Sequence, residues 1–255
     1  MEIEKYDPEI HRALRKRMFR QNLAAFKGEG IWDLVADWSD TVNTETSTWS
    51  YRSASVAREV GSVMQYFHVI YGPNNWHPGP DICGWENEPD TGYTGVDIFT
   101  NTTDTAQNML NNGQIVLIAP PNTCIVRPQM TNPLEPVPQI SWLCPETGFY
   151  NISYEFANPR IDENGILPTI DENGNSTRAR DGRQWYVDKI SKGRLTNFAN
   201  GFLPPETPYG FGTGLITLGK ISLEKGDRIN WNVDGLNTPF RDHTEVTATV
   251  TVAIL

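Results

Sequence analysis

Long apolar runs are missing from this chain of 255 residues. No stretch approaches the roughly 18 apolar residues that a membrane-spanning helix needs. Cysteine is scarce: Cys83, Cys124 and Cys144 form neither a C-x-x-C pair nor an even set. Reduced thiols packed as small apolar side chains are therefore expected, not a framework of bridges. Histidine is equally sparse. His11, His68, His77 and His243 are scattered, and no two of them sit at ligand spacing on one element, so no metal is expected. The G-x-S-x-G elbow, the Walker loop, the strand-linked G-x-G-x-x-G and the H-E-x-x-H helix are all absent, so the expectation is a protein that is not an enzyme, with no catalytic residues and no cofactor. No apolar signal segment follows Met1, so the chain is expected to stay on the side of the membrane where it is made. Without secretion the sequons at Asn101, Asn151 and Asn175 carry little weight.

What the chain does have is an uneven distribution of charge. Its net charge is −10. Residues 1–27 nevertheless hold seven Lys/Arg against four acids, a net of +3, so the remainder carries −13. An acidic body repels nucleic acid, and only the basic segment could meet phosphate. That segment reads as a helix. Asp7 is a good N-cap, Pro8 takes the first helical position, and Glu9 lies where the macrodipole favours an anion. Ile10, Leu14 and Met18, then Phe19, Leu23 and Phe26, form an apolar stripe, with Arg12, Arg15, Lys16 and Arg17 mostly off it, and Gly28 and Gly30 end it. Two readings stand: a helix lying on its own domain, or an anchor that docks on an acidic neighbouring subunit through Ile10, Leu14, Arg15, Arg17, Met18, Phe19, Leu23 and Phe26. Binding to a membrane surface or to nucleic acid fits less well and is not expected.

From Ile31 the hydrophobic period drops from about 3.6 to 2. Residues 243–255 alternate strictly, with Val246, Ala248, Val250, Val252 and Ile254 on one face and Thr247, Thr249 and Thr251 on the other. Tyr150, Ile152, Tyr154 and Phe156 alternate likewise, as do 215–223 and Ile229, Trp231 and Val233 around the turn at Glu224–Asp227. Further strands are expected at 31–38, 47–52, 62–71, 95–100, 114–119, 138–143 and 184–190. The fold class is therefore all-β: an antiparallel jelly-roll β-sandwich over 31–255, preceded by a helical arm over 1–30. Three long loops are expected, at 72–94, at the proline-rich 120–138 and at 157–183. The last repeats Ile-Asp-Glu-Asn-Gly at Ile161 and Ile170, nine residues apart. Two Asn-Gly turns suit a protruding hairpin better than a calcium loop, whose ligand spacing is absent.

The 72–94 segment brings Asn74, Asn75, Trp76, His77 and Asp81 close in sequence to Trp85, Glu86, Glu88 and Tyr93. Indole rings beside Asn, Asp and His suit a sugar, whose apolar face stacks while its hydroxyls are hydrogen-bonded. Trp76, His77, Asp81, Trp85 and Tyr93 are the candidate glycan-binding residues. The same composition also describes a rigid loop whose tryptophans pin it to the sandwich. Glycoside hydrolysis would need two carboxylates across one bond, and acids alone do not select a pair.

The run Pro145-x-x-Gly148-x-Tyr150-x-Ile152, followed by Leu223-x-x-Gly226-Asp227-x-Ile229 and a terminal alternating strand, resembles the C1q/TNF-like jelly-roll superfamily over roughly 140–255. Asp37-Trp38-Ser39, Trp49-Ser50-Tyr51 and His77-Pro78-Gly79 also look like lectin-like jelly-roll modules of bacterial surface proteins, although Arg52 stands where those carry glycine. The first resemblance implies a homotrimer. With the basic arm, the chain resembles the trimeric decoration, or cement, proteins of tailed-phage capsids. That likeness implies a location on the virion, assembled in the host cytoplasm, and a major capsid protein or other virion subunit as partner; the second implies surface glycans. Under the anchor reading, deleting residues 1–30 is expected to abolish incorporation into the assembly and to leave the sandwich folded. Normal decoration by the truncated chain, seen by electron microscopy, would contradict it.

Overall fold

The computed structural model describes residues 30–55, 58–69, 76–77, 82–86, 97–111, 114–128, 137–159, 182–205, 207, 210–236 and 243–253. The basic arm, with all eight of its candidate docking residues, lies outside them, as do Asp81, Tyr93 and both Asp-Glu-Asn-Gly repeats. Every regular element among the described residues is a strand, in keeping with the period-2 pattern after Ile31.

In chain order the strands are β1 (Ile31–Asp33), β2 (Trp49–Ala54), β3 (Ser62–Val63), β4 (Tyr66–Val69), β5 (Trp76–His77) and β6 (Ile82–Glu86). Then come β7 (Asp97–Asn101), β8 (Gln107–Asn111), β9 (Gln114–Ala119), β10 (Thr123–Arg127), β11 (Val137–Leu143) and β12 (Gly148–Ala157). The last five are β13 (Arg183–Ser191), β14 (Arg194–Leu203), β15 (Ile216–Leu223), β16 (Arg228–Asp234) and β17 (Thr244–Val252). An eight-stranded sheet runs β15-β12-β17-β10-β7-β6-β4, with β1 also paired to β17; a six-stranded sheet runs β14-β13-β16-β11-β2-β3. All pairings are antiparallel, and β5, β8 and β9 form a small third sheet.

The two large sheets bury one apolar interior between them. Ile152, Tyr154, Phe156, Val246 and Val250 face it from the larger sheet, and Tyr51, Ile140, Trp142, Val187 and Trp231 from the smaller. Rings bridge the layers: Trp185 of β13 stacks on Phe156 of β12 at 5.0 Å and meets Tyr154 edge-on at 6.2 Å. Trp142 likewise meets Tyr150 at 5.3 Å. At the end of β15 the turn closes as its Gly-Asp pair suggests, with Gly226 at a φ of +89° and the Asp227 amide donating to the Glu224 carbonyl at 2.9 Å.

Several elements differ from the sequence-based expectation. The proline-rich 120–138 segment is not wholly a surface loop: β10 lies inside it, buried at every position between β7 and β17. Its prolines flank the strand, at 120, 121 and 128, and do not interrupt it. Two short strands, β5 and β6, lie within the expected 72–94 loop. Strands β8 and β14 carry too little regular apolar alternation to be read from sequence; β14 exists because it hairpins onto β13 through Lys192 and Gly193, both at positive φ. Cys124 and Cys144 are buried thiols, and burial pushes both thiols up from their ordinary range. The sequon residue Asn101 is fully buried.

The ring of Trp185 lies over Gly201 on the adjacent strand, where an added Cβ would approach within 2.4 Å. Trp185→Ala should cost about 3–5 kcal/mol in urea unfolding, because it empties the contact between the sheets. A loss below about 1 kcal/mol would mean that the layers are not joined there.

Candidate functional site

The six-stranded sheet has a second face, and its composition is unusual. On β16 the alternation sends Ile229, Trp231 and Val233 inward and Arg228, Asn230, Asn232 and Asp234 outward. The neighbouring strands do the same. One cross-strand row reads Tyr186, Asn232, Gln139, Arg52, and the next reads Asp188, Asn230, Ser141, Ser50. An outward polar face normally meets water. Here Ser50, Gln139, Ser141, Asp188 and Asn232 have no exposed surface, and Arg52 and Asn230 almost none.

Part of the cover is the connection from β2 to β3. Its described portion, Arg58–Gly61, folds back across the sheet as a strap. The Gly61 amide donates to Gln139 Oε1 at 2.9 Å, Gln139 Nε2 donates to the Glu59 carbonyl, and Arg52 Nε donates to the Gly61 carbonyl at 2.7 Å. Only glycine permits this approach at 61, since a Cβ would meet the Ser53 carbonyl oxygen at 2.6 Å. At the other end, Arg58 reaches β13: its Nε is 3.5 Å from Asp188 Oδ1, and its guanidinium carbon lies 5.6 Å from the centre of the Tyr186 ring. Glu45, from the loop before β2, accepts a bidentate pair from Arg52 at 2.9 and 3.1 Å. Arg228 donates to Ser50, Ser141 and the Glu45 carbonyl.

Two acceptors on this face have no donor among the described residues: Oδ1 of Asn230 and Oδ1 of Asn232. Their orientation follows from their other atoms. Asn230 Nδ2 points at Gln139 Oε1, which already accepts from Gly61, and Asn232 Nδ2 points at the Asp188 carboxylate. Turning either amide over would set its oxygen against another acceptor, so both keep Nδ2 toward these oxygens. A buried carbonyl left with no donor of any kind costs about 1–3 kcal/mol, so each of these two oxygens calls for a donor from outside the described residues. At Asp188, burial pushes the carboxyl up, while Asn197, donating at 2.8 Å, and Arg58 pull it down. What the face offers chemically is a set of acceptors (Asn230, Asn232, Asp188) beside a ring and three arginines.

The residues expected from sequence fall elsewhere. Trp85 is 5% exposed, lies near-parallel to the Tyr51 ring at 6.5 Å and donates its indole N–H to the Ser39 carbonyl at 2.9 Å. It packs in the interior, as a ring that pins its segment to the sandwich. Trp76 and His77 form β5, paired with Asn111 and Leu110 in the small sheet. Of the five candidate residues, Trp85 alone has a described side chain, and it faces the interior. Among the described residues no group of three His, Cys, Asp or Glu side chains could hold a metal ion, and no helix is long and apolar enough to cross a membrane. The signal for the polar face was present in the sequence as Asn230-x-Asn232, Gln139-x-Ser141 and Ser50-x-Arg52, but an outward polar alternation ordinarily means a solvated face.

No protein-family profile and no curated protein sequence matches the chain. Solved structures similar to it include an isomalto-dextranase of Arthrobacter globiformis T6 complexed with panose (11% identity, 82% of this chain and 24% of that one, TM-score 0.24). Others are an arabinose-bound α-L-arabinofuranosidase (10%, 79% and 26%, 0.27) and a CBM4 structure (11%, 74% and 92%, 0.24). The chain spans about a quarter of the first two. Scores this low establish neither a shared fold nor a shared activity.

The raised Asp188 carboxyl fixes the sign of a pH effect. Above pH 3.8 and below its folded value, the native state holds more protons than the unfolded one, so this group's contribution to stability falls as pH rises through that window. The stability of the wild type relative to Asp188→Asn should therefore decline with rising pH over that interval and level off above it. Urea titrations across pH would show it, and a difference independent of pH would contradict the placement of Asp188.

Proposed function

We infer that the chain is a non-enzymatic jelly-roll module that works by binding, and that its working surface is the outer face of the six-stranded sheet. A neutral carbohydrate is the ligand class that suits it. The observation that carries this reading is the pair of buried carbonyls on Asn230 and Asn232 that have no donor among the described residues, set beside Asp188 and the Tyr186 ring. Sugar hydroxyls donate to such acceptors, and the apolar face of a pyranose stacks on a ring. Turnover is a poorer fit. Glycoside hydrolysis uses two carboxylates flanking one bond, whereas here Asp188 is held by Asn197 and Arg58, and Glu45 is held by Arg52.

Asn230→Leu and Asn232→Leu should separate binding from folding. Each removes an unsatisfied carbonyl and with it an amide donor to Gln139 or Asp188, so the two effects oppose each other and the chain should stay folded with a urea midpoint close to that of the wild type while glycan-array signal is lost. Retained signal in both variants, or a wild-type chain that binds no glycan, would overturn the reading.

A second reading, a trimeric decoration protein on a viral capsid, is favoured by one flank of the sandwich. Strands β14 and β15 are the edge strands of the two sheets, and Lys189–Asp227 and Lys192–Glu224 ion pairs tie their hairpins together. Along this side Phe202, Phe211 and Leu215 are 47%, 47% and 62% exposed, beside half-buried Phe198, Ile216 and Leu218. Apolar side chains on unpaired edges suit subunit contact. The trimer predicts a mass near three times 28.7 kDa by light scattering; a stable monomer at all concentrations would refute it.

A further inference from the structure

Resting on the carbohydrate reading, we propose that the Arg58–Gly61 strap is a displaceable stand-in for the ligand, and that Tyr186 is the stacking platform it uncovers. The strap presents to the sheet what a sugar would present. Its Gly61 N–H donates to Gln139, and its Glu59 and Gly61 carbonyls accept from Gln139 and Arg52. A flat group, the Arg58 guanidinium, lies over the Tyr186 ring and beside Asp188. A pyranose offers the same set: hydroxyls that donate and accept, and a flat apolar face for the ring.

The strap is the weaker occupant of the two. Its described residues give no donor to Asn230 Oδ1 or Asn232 Oδ1, so a hydroxylated ligand that reaches these carbonyls gains hydrogen bonds that Arg58–Gly61 does not make. Its two ends are held unequally. The Gly61 end is sunk against the Ser53 backbone, whereas Arg58 is 41% exposed at its side chain and Val60 is 52% exposed. The strap therefore has little apolar burial to lose, and it lifts from the Arg58 end, full opening being reached when the Gly61–Gln139 hydrogen bond breaks. The occupant is a neutral molecule and not a metal ion, because Arg58 sits beside Asp188, and Arg52 and Arg228 stand on the same face, where they add positive charge that would repel a cation.

Displacement by a ligand requires a minor open population, and apparent affinity scales with that population. Amide exchange of the full chain reads it directly, without any ligand. The Gly61 amide should exchange about 10-fold or more faster than those of Ile140 and Trp142, and Arg58→Ala should speed it further by about 5- to 10-fold. The same variant should bind dextran, xylan or laminarin more tightly by about 3- to 10-fold in affinity gels, whichever of them the wild type binds. Tyr186→Ala should abolish retardation, and Tyr186→Phe should keep it. If Gly61 exchanges as slowly as Trp142 in both wild type and Arg58→Ala, the strap is a fixed part of the fold and the proposal is overturned, even where polysaccharide binds. If Gly61 exchanges fast but neither protein is retarded by any of the three, the carbohydrate reading fails and the strap's role as a stand-in falls with it. Retardation that requires added calcium would equally overturn the neutral-ligand assignment.

Discussion

The side-chain amide of Gln139 fixes the chemistry of the outer face. It lies at the centre of the six-stranded sheet, in register with Asn232 on one side and Arg52 on the other. One amide group reads two backbone groups of the strap, accepting from Gly61 and donating to Glu59. That exchange brings the strap down onto the sheet beside Arg52. It also sets Asn230, whose Nδ2 turns toward Gln139 Oε1 and whose carbonyl has no donor among the described residues. Removing the Gln139 amide would release the strap and the orientation of Asn230 together.

The two faces of this sheet solve the burial problem differently. Inward, aromatic rings from both sheets interlock, and the driving force is apolar area withdrawn from water. Outward, almost every group is polar, so burial gains little on that account and each hydrogen bond contributes only about 1 kcal/mol net. A structural cover could be made far more cheaply from apolar residues. Bringing Asn230, Asn232, Asp188 and Arg52 under a strap of four described residues makes sense when the polar groups are needed by something other than the strap. This is the physical reason for treating the face as a binding surface instead of an inefficient second core.

The architecture was largely legible in the sequence, because alternation is a local property. Val246, Ala248 and Val250, and Tyr150 through Phe156, declare their strands without reference to anything distant. Strand β10 was hidden because prolines crowd both its ends, and β14 because its sequence, Arg194 to Leu203, alternates weakly and depends on β13 for its place. The site was not legible. Trp85 looked like a sugar platform because tryptophan beside acids suits both a binding loop and an anchored one; only packing against Tyr51 and the bond to Ser39 separates them. Conversely, Asn230 and Asn232 looked like ordinary solvent-facing residues, since no local feature announces that this face of the sheet is buried.

The central claim is that ligand meets this chain on the outer face of the six-stranded sheet. Side-chain amide resonances of Asn230, Asn232 and Gln139, followed by NMR during titration with the oligosaccharide that gives the strongest array signal, test it most directly. The account predicts that these three and the Gly61 backbone amide shift along one binding curve and saturate together. Shifts confined to Trp76, His77 and the residues around them, with the three amides unmoved, would contradict it.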